Sequence, residues 1–437
     1  MATAGFLARS YQVRADDRDF WWIAHALILS AIVFNAVLCF VNTHLASITN
    51  KTVIFSEVVI VGATIIVCYK SLNLLYVFLL SGVIFLTVTL ALIRAGISPE
   101  AGLDVKIARD FLIPIVFFML GQRTSDLKCA DSIVNKSVFL ILAVALFEYF
   151  SLESFLKVFA VAQYYVARGT LEESSWALDV AGGLMASGMR PPEQGRGLLS
   201  FLGDHRVSSL FLEPIGLGNF GSIVVMWAIV RSRMTRKYYL WTIITGLALI
   251  ILSDTRFDAY FLIVGITILF LPQRVSALVV SVMPVVIPVG LIFLYLAYAS
   301  ELPDTPSVSG LGLTDRLMYS GRVLADFDLY NWLGVKVSAL QTFDAGYAYI
   351  ISNAGIFGYA IFWSIFLSLK GYNRHFYALR NASVAYFAIL FCISASQMTI
   401  KTAALQWFLM GTLAVMRPYS SAVIARQRRD NSAPAPA

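Results

Sequence analysis

Long apolar runs, separated by short polar segments, occupy most of the 437-residue chain. A helix needs about 20 mainly apolar residues to cross the hydrocarbon core of a bilayer. The runs are continuous rather than alternating, which argues against an outer-membrane barrel. The pattern therefore predicts an all-α polytopic integral membrane protein with about 12 transmembrane helices. The predicted spans are residues 20–42, 53–69, 72–93, 107–121, 134–150, 213–230, 238–253, 257–271, 275–299, 346–369, 383–400 and 402–417.

Two long segments interrupt this pattern, residues 151–212 and 300–345. Loops of this length are more often functional than not. The first opens with apolar residues at helical spacing, which predicts an amphipathic helix in the membrane interface. Its Lys157 and Arg168 would then face headgroups or a charged ligand. A loop helix that simply covers the bundle is the alternative. The apolar positions are Leu152, Phe155, Phe159, Ala162 and Val166.

Composition and charge agree with a membrane protein and give it an orientation. Hydrophobic residues make up 59% of the chain and charged residues 14%, against about 25% charged in soluble domains. With the N-terminus placed in the cytoplasm, 19 of the 33 lysines and arginines fall on the inside segments or at the span ends next to them, as the positive-inside rule demands. Both long loops are then external. The net charge of +7 needs no nucleic-acid partner, because basic rims face anionic membrane lipids.

The same reasoning gives the domain organisation. Residues 1–19 form a cytoplasmic tail, residues 20–417 a single integral membrane domain, and residues 418–437 a partly disordered cytoplasmic tail.

Common catalytic signatures are missing from the sequence. There is no phosphate-binding P-loop, no His-Glu-x-x-His and no Gly-x-Ser-x-Gly. The four histidines are scattered, so we expect no protein-held metal. Asp326 and Asp328 spell the Asp-x-Asp of many soluble glycosyltransferases, but two acids at this spacing are common by chance.

The informative residues are arginines on the predicted external side. They are Arg206, Arg256, Arg316 and Arg322. Charges near or inside a membrane are costly and tend to be functional, and the planar arginine fork suits phosphate and carboxylate oxygens. Several arginines converging from different loops would form an external site for a phosphate-bearing lipid.

Structural ion pairs are the alternative for each arginine taken singly. Arg256 has Asp254 and Asp258 beside it, and Arg316 has Asp315 and Asp326 within reach along the chain. For the four arginines together, the sequence favours a site.

Carboxylates open two predicted spans close to these arginines. Glu213 precedes Pro214 at the sixth span, and Asp344 precedes the tenth. Either carboxylate is favoured by the helix dipole, and either could also orient an arginine or accept a hydroxyl proton. Gly216, Gly218 and Gly221 make the start of the sixth span thin, which predicts close approach of another helix or a ligand.

At these residues the chain resembles the bacterial polysaccharide polymerase and O-antigen ligase superfamily, the Wzy and WaaL proteins. The resemblance covers roughly residues 150–370, and the first four spans match only in hydropathy. The ligases carry a histidine where this chain has Asp344, which favours a polymerase. Length, loop plan and short tails are similar to xanthan-type exopolysaccharide polymerases. The motifs are Arg206 followed by Glu213-Pro214, then Asp254-Thr255-Arg256, then Arg316 and Arg322 followed by Asp344, Gly346, Tyr347, Gly355 and Gly358.

The resemblance implies a reaction at the periplasmic face of the bacterial inner membrane. A glycan on undecaprenyl diphosphate is transferred to a fresh lipid-linked repeat unit, without a metal or cofactor. It implies Glu213, Asp344 and Arg256 as catalytic residues, and substrate contacts from Arg206, Arg316, Arg322, Tyr347 and His205. Expected partners are the lipid-linked oligosaccharide, membrane lipids and a chain-length regulator or export co-polymerase. A transporter or flippase of lipid-linked oligosaccharide, and a non-catalytic envelope scaffold, are the alternatives.

Overall fold

The structure is a computed structural model of the whole chain. It describes residues 18–97, 105–171, 183–184, 188–189, 199–298, 313–336, 342 and 345–416. Most of both predicted tails, much of the two long loops and Asp344 therefore lie outside the described residues.

Apart from one isolated backbone bridge between Met189 and His205, the regular structure of the described chain is helical. The first half holds α1 (Arg18–His44), α2 (Asn50–Cys68), α3 (Leu74–Ile97), α4 (Val105–Thr124), α5 (Leu127–Phe150), α6 (Leu152–Val158) and α7 (Val161–Ala167). The second half holds α8 (Pro214–Thr235), α9 (Leu240–Ser253), α10 (Arg256–Phe270), α11 (Gln273–Tyr298), α12 (Leu313–Ala325), α13 (Leu329–Trp332), α14 (Gly346–Ser368), α15 (Arg374–Leu390) and α16 (Ile400–Val415). Short 3-10 turns lie at Tyr69–Ser71, Ser200–Leu202, Ser209–Phe211 and Ser396–Met398.

Seven helices within the described residues are long and apolar enough to cross a membrane. They are α1, α2, α3, α5, α8, α11 and α14. The chain is therefore an all-α, multi-pass membrane protein. The apolar helices α9 and α16 are shorter, at 14 and 16 residues. The count of about 12 crossings stays a prediction, because the remaining predicted spans fall on helices that are shorter or carry more charge.

The eleventh predicted span, residues 383–400, has the wrong bounds. Asn373 caps the N-terminus of α15 by accepting a 2.8 Å hydrogen bond from the backbone N–H of Phe376, so the helix begins nine residues earlier than predicted. It ends at Leu390. A turn containing Ser396–Met398 then leads to α16, and its backbone is held by the 3.0 Å bond from the Ser396 N–H to the Ser394 hydroxyl.

The amphipathic helix predicted at the start of the first loop is two short helices, α6 and α7, interrupted at Phe159 and Ala160. The Ala160 N–H donates to the Thr43 hydroxyl of α1 at 3.0 Å, and Phe155 is fully buried. These contacts favour the alternative in which the loop covers the bundle. Arg168 lies over the rings of Tyr164 and Tyr165, with 5.2 and 5.3 Å to their centroids.

Small residues let the helices of the bundle approach closely, as is common in membranes. A side chain at Gly121 of α4 would meet the Phe408 carbonyl, and one at Gly411 of α16 would meet the Phe118 carbonyl. The same relation holds between Gly221 of α8 and Gly246 of α9, where an added Cβ would lie 2.7 Å from the Gly246 oxygen. The close approach predicted for the start of α8 is confirmed.

Candidate anion-binding site

A cavity of about 140 Å³ lies beside the first turn of α8. Three arginines line it, and each comes from a different segment. Arg206 belongs to the segment that precedes α8, Arg256 is the first residue of α10, and Arg316 lies in the first turn of α12. Asp254 and Asp258 also line the cavity. The remaining lining residues are Ile215, Thr255, Phe257, Leu390, Ile393 and Ser394.

A tight turn between α9 and α10 brings the charged residues into the cavity. Asp254 ends α9 in the left-handed conformation, with φ 45° and ψ 43°, which aspartate tolerates better than most residues. The hydroxyls of Ser253 and Thr255 lie 2.8 Å apart across this turn. Arg256 then begins α10 directly. The turn therefore presents Asp254 and Arg256 at the same end of the bundle.

The segment that carries Arg206 runs alongside the end of α9. The Val207 N–H donates to the Leu252 carbonyl at 3.1 Å, and the Arg206 Nε donates to the Ser253 carbonyl at 3.1 Å. A helix C-terminus exposes carbonyl groups that favour cations. The end of α9 therefore orients the Arg206 guanidinium.

Glu148 anchors the segment that follows Arg206. Nothing in the sequence indicated this role. Its carboxylate is fully buried at the end of α5. It accepts hydrogen bonds from the Ser208 N–H at 3.0 Å, the Ser208 hydroxyl at 3.0 Å and the Ser209 N–H at 2.5 Å. Ser209 has a positive φ of 50°, so this anchor compensates an unusual backbone. Glu148 positions the chain that leads from Arg206 into α8.

Arg316 reaches the cavity over an aromatic ring. Its guanidinium carbon lies 5.6 Å from the ring centroid of Phe257, a cation–π geometry. Phe257 and Phe261 stack at 6.3 Å with an interplanar angle of 18°. The second long loop thus contributes a cation that is held against α10.

Asp258 is the carboxylate that the sequence reasoning underrated, since it figured only as a partner for Arg256. The residue is 1% exposed, and its Oδ1 accepts a 2.8 Å hydrogen bond from the Tyr386 hydroxyl of α15. The same hydroxyl lies 2.6 Å from the Asn219 Oδ1. The single hydroxyl hydrogen of Tyr386 is therefore shared between the two oxygens. The signal that could have found it is its position two residues after Arg256, at the polar start of an apolar helix.

Gly218 makes room for this carboxylate. A Cβ at Gly218 would run into the Thr255 hydroxyl and the Asp258 carboxylate. Glycine at this position therefore lets α8 pack against the start of α10 while the cavity keeps its acidic side chain.

Glu213 lies next to the cavity and pairs with a lysine instead of an arginine. Its Oε1 accepts from the Tyr165 hydroxyl at 2.6 Å, and its Oε2 lies 3.4 Å from the Lys401 Nζ. Burial by itself would raise the pKa of Glu213, but the Lys401 charge and the Tyr165 hydrogen bond outweigh it and leave the pKa below its usual value. Lys401 also donates to the Phe211 carbonyl at 3.0 Å. Glu213 is therefore an ionised anchor for the start of α8.

Three other site residues predicted from the sequence, Arg322, His205 and Tyr347, are not among the described residues that line the cavity. Arg322 lies 3.6 Å from Asp326, one helical turn on, and Arg322 does not line the cavity as far as the described residues show. The His205 ring lies 6.5 Å from that of Tyr149. Tyr347 is fully buried, and its hydroxyl donates to the Ala388 carbonyl at 2.7 Å. Asp344 falls outside the described residues.

The Asp-x-Asp pair has structural partners. Asp326 faces Arg322, and Asp328 caps α13 by accepting from the Asn331 N–H at 2.8 Å. Lys336 lies 3.2 Å from Asp328. Within the described residues, no three His, Cys, Asp or Glu side chains come together as metal ligands would.

A buried ionic cluster joins the first spans to α14, and sequence reasoning missed it. Arg109 of α4 pairs with Glu57 of α2, and its Nε donates to the Asp110 Oδ1 at 2.8 Å. The Tyr349 hydroxyl of α14 donates to the Asp110 Oδ2 at 2.8 Å. Ionisable residues within membrane helices are costly unless paired. The pairing across three helices shows how these charges are accommodated.

Arg94 occupies a break in α14. The backbone of Gly355 has φ 69° and ψ 175°, which interrupts the helix. The Arg94 Nη2 donates to the Gly334 carbonyl at 2.6 Å, to Asn353 at 2.7 Å and to Ser352 at 3.2 Å. One buried guanidinium thus satisfies the carbonyls that the break exposes, and ties the end of the second long loop to the bundle.

Comparisons of the chain with known protein families, with curated proteins and with solved structures gave no match.

Proposed function

We propose that the protein is a polysaccharide polymerase of the bacterial inner membrane, with both termini in the cytoplasm. It would join undecaprenyl-diphosphate-linked oligosaccharide repeat units into exopolysaccharide or O-antigen at the periplasmic face. The observation that carries the proposal is the convergence of Arg206, Arg256 and Arg316 on one cavity. The sequence resemblance to polysaccharide polymerases supplies the reaction class.

The size and charge of the cavity suit a compact anion. Its volume of about 140 Å³ is small beside the roughly 300–1,000 Å³ of small-molecule pockets. Its lining holds three arginines and two aspartates. Arginine binds phosphate oxygens through paired hydrogen bonds. We assign the cavity to the diphosphate, and the oligosaccharide would extend away from it.

The proposed chemistry needs charge stabilisation and a proton acceptor. A sugar hydroxyl of the fresh repeat unit bonds to the anomeric carbon of the growing glycan, while the bond from that carbon to the diphosphate oxygen breaks. The fixed arginines stabilise the negative charge of the leaving diphosphate. The hydroxyl proton passes to a carboxylate, and Asp258 is our choice because it lines the cavity and is oriented by the Tyr386 hydroxyl. Glu213 is held by Lys401, and Asp344 remains the predicted alternative.

The test uses purified protein in liposomes that contain one lipid-linked repeat unit, with products resolved as a ladder on a gel. Wild-type protein should give a ladder without nucleotide sugar, metal or ATP. Arg256→Lys and Arg256→Ala should abolish it while expression is intact, because a point charge does not replace the bidentate fork. Arg274→Lys, at an exposed position on the predicted cytoplasmic side, is the matched control. Full ladders from both Arg256 variants would overturn the assignment.

A transporter or flippase of lipid-linked oligosaccharide is the second candidate. The observation that favours it is the break at Gly355 in a helix long enough to span the membrane, since broken helices often form transporter sites. In this chain, however, Arg94 already donates hydrogen bonds to the carbonyls at the break. Movement of the repeat unit between leaflets of the same liposomes, with no ladder, would favour transport.

A further inference from the structure

A second cavity, of about 430 Å³, lies at the far end of α8, where the chain turns into α9. The helix has 22 residues, which corresponds to about 33 Å at 1.5 Å per residue. The hydrocarbon core of a bilayer is about 30 Å thick. The two cavities therefore lie near opposite faces of the membrane, and the positive-inside preference places the second one at the cytoplasmic face.

Three cations line this second cavity, Arg233, Arg236 and Lys237, and all three side chains are exposed. Among its lining residues in the described chain there is no aspartate or glutamate. The nearby Asp131 is already neutralised by Arg231, whose Nη2 lies 2.6 Å from its Oδ2. The cavity consequently carries unbalanced positive charge.

Local contacts and backbone geometry fix the positions of two of these cations. Arg233 donates to the Leu269 carbonyl and lies 4.9 Å from the ring centroid of Phe270. Arg236 ends α8 in the left-handed conformation, with φ 56° and ψ 21°, which few side chains adopt without a reason. This turn places Arg236 and Lys237, which both line the cavity, at consecutive positions where α8 ends.

The rest of the lining fits a lipid better than a soluble anion. Ile229, Ile243 and Phe270 give the cavity an apolar wall. At its rim Tyr238 is 86% exposed, and the neighbouring Trp241 is 71% exposed. Aromatic residues of this kind concentrate at the headgroup level of a membrane. Charge and apolar surface therefore meet at the depth where a lipid phosphate joins its acyl chains.

We propose that this cavity binds the phosphate of an anionic phospholipid from the cytoplasmic leaflet. The guanidinium and ammonium groups contact the phosphate oxygens, and the acyl chains lie along the apolar wall. The proposal is independent of the catalytic proposal, since it concerns the opposite face of the membrane.

The test is native mass spectrometry of delipidated protein titrated with phosphatidylglycerol or phosphatidylcholine. Each basic residue near a membrane strengthens the attraction to anionic lipid by about fivefold. The double variant Arg236→Gln/Lys237→Gln should then bind phosphatidylglycerol roughly thirtyfold more weakly than wild type. The double variant Lys70→Gln/Lys128→Gln loses the same charge elsewhere on the predicted cytoplasmic side and should bind like wild type.

Two further measurements distinguish an effect of charge from an effect on folding, and binding of a lipid from binding of soluble phosphate. Arg236→Lys/Lys237→Arg keeps both charges and should retain phosphatidylglycerol. Equal loss in this variant, equal loss in the Lys70/Lys128 variant, or equal binding of phosphatidylcholine by wild type would overturn the proposal. Displacement of phosphatidylglycerol by excess inorganic phosphate would assign the cavity to a soluble anion and also overturn it.

Discussion

In the candidate site, the Tyr386 hydroxyl donates a 2.8 Å hydrogen bond to the Asp258 carboxylate. The carboxylate is buried, lines the cavity beside Arg256 and accepts a hydrogen bond from the phenol. Removing a positioned proton acceptor typically costs about 10²–10⁴ in rate.

Asp258→Asn should therefore lower the rate of polymer formation at least about 100-fold, measured as the appearance of the ladder in liposomes. Tyr386→Phe, which removes only the orienting hydroxyl, should have a smaller effect. Asp328→Asn, at an exposed helix cap, is the control. A normal rate for Asp258→Asn would exclude Asp258 as the proton acceptor.

Glu213 gives a pH dependence whose sign follows from its environment. Its pKa in the folded protein is below the usual 4.5. The stabilisation from the contacts with Lys401 and Tyr165 is therefore complete above the usual pKa, and is lost as the pH falls through the lowered value.

Glu213→Gln should destabilise the protein at neutral pH and flatten the loss of stability below about pH 4.5. Thermal unfolding of wild type and variant across the acid range measures this. If the unfolding temperatures of the two proteins fall in parallel as the pH is lowered, Glu213 titrates in the folded state as it does in the unfolded chain.

At the scale of single residues, sequence reasoning located the arginines but not their surroundings. Arg206, Arg256 and Arg316 stood out because they break the positive-inside preference, which is a property of sequence order. The position of Tyr347 depends on how α14 packs against α15, where its hydroxyl meets the Ala388 carbonyl. Glu148 could not be recognised either, because its partners Ser208 and Ser209 follow some 60 residues later.

The contact between α8 and α10 is the element-scale feature that shapes the cavity. It depends on Gly218, where a Cβ would strike Asp258 and Thr255. Inserting atoms into a packed contact typically costs about 1–3 kcal/mol and shifts the backbone.

Gly218→Ala should therefore lower both the unfolding temperature and the polymerisation rate. Gly290→Ala in α11 is the matched control, because a Cβ there meets nothing within 4 Å. Alanine in a helix is favoured over glycine by about 0.5–1 kcal/mol, so this control should be neutral or slightly stabilising. Equal behaviour of the two variants would contradict the close packing of α8 on α10.

Apolar run length predicted the helices well, and the ends of helices less well. The predicted spans 20–42 and 275–299 correspond closely to α1 and α11, since a continuous apolar run of this length has few alternatives. The eleventh span failed because capping by Asn373 and the polar turn after Leu390 decide where α15 begins and ends. Periodicity in the first loop did not reveal the interruption at Ala160, which a contact with Thr43 of α1 stabilises.

At the scale of the whole molecule, two positively charged cavities lie at opposite ends of α8. The cavity at the start of α8 combines arginines with two carboxylates, while the one at its end has cations and an apolar wall. We interpret the first as a reaction site and the second as a lipid contact. The buried pairs in the first spans, such as Arg109 with Glu57, lay beyond the reach of sequence reasoning, because pairing between helices depends on the three-dimensional packing.

Binding of undecaprenyl diphosphate to the purified protein tests the central claim most directly. The account predicts that Arg206→Gln, Arg256→Gln and Arg316→Gln each weaken binding at least about tenfold, since a charge-assisted hydrogen bond contributes about 1.5–3 kcal/mol. Arg274→Gln, at an exposed position outside the cavity lining, should bind like wild type. Undiminished binding by all three cavity variants would contradict the assignment of this cavity to the diphosphate.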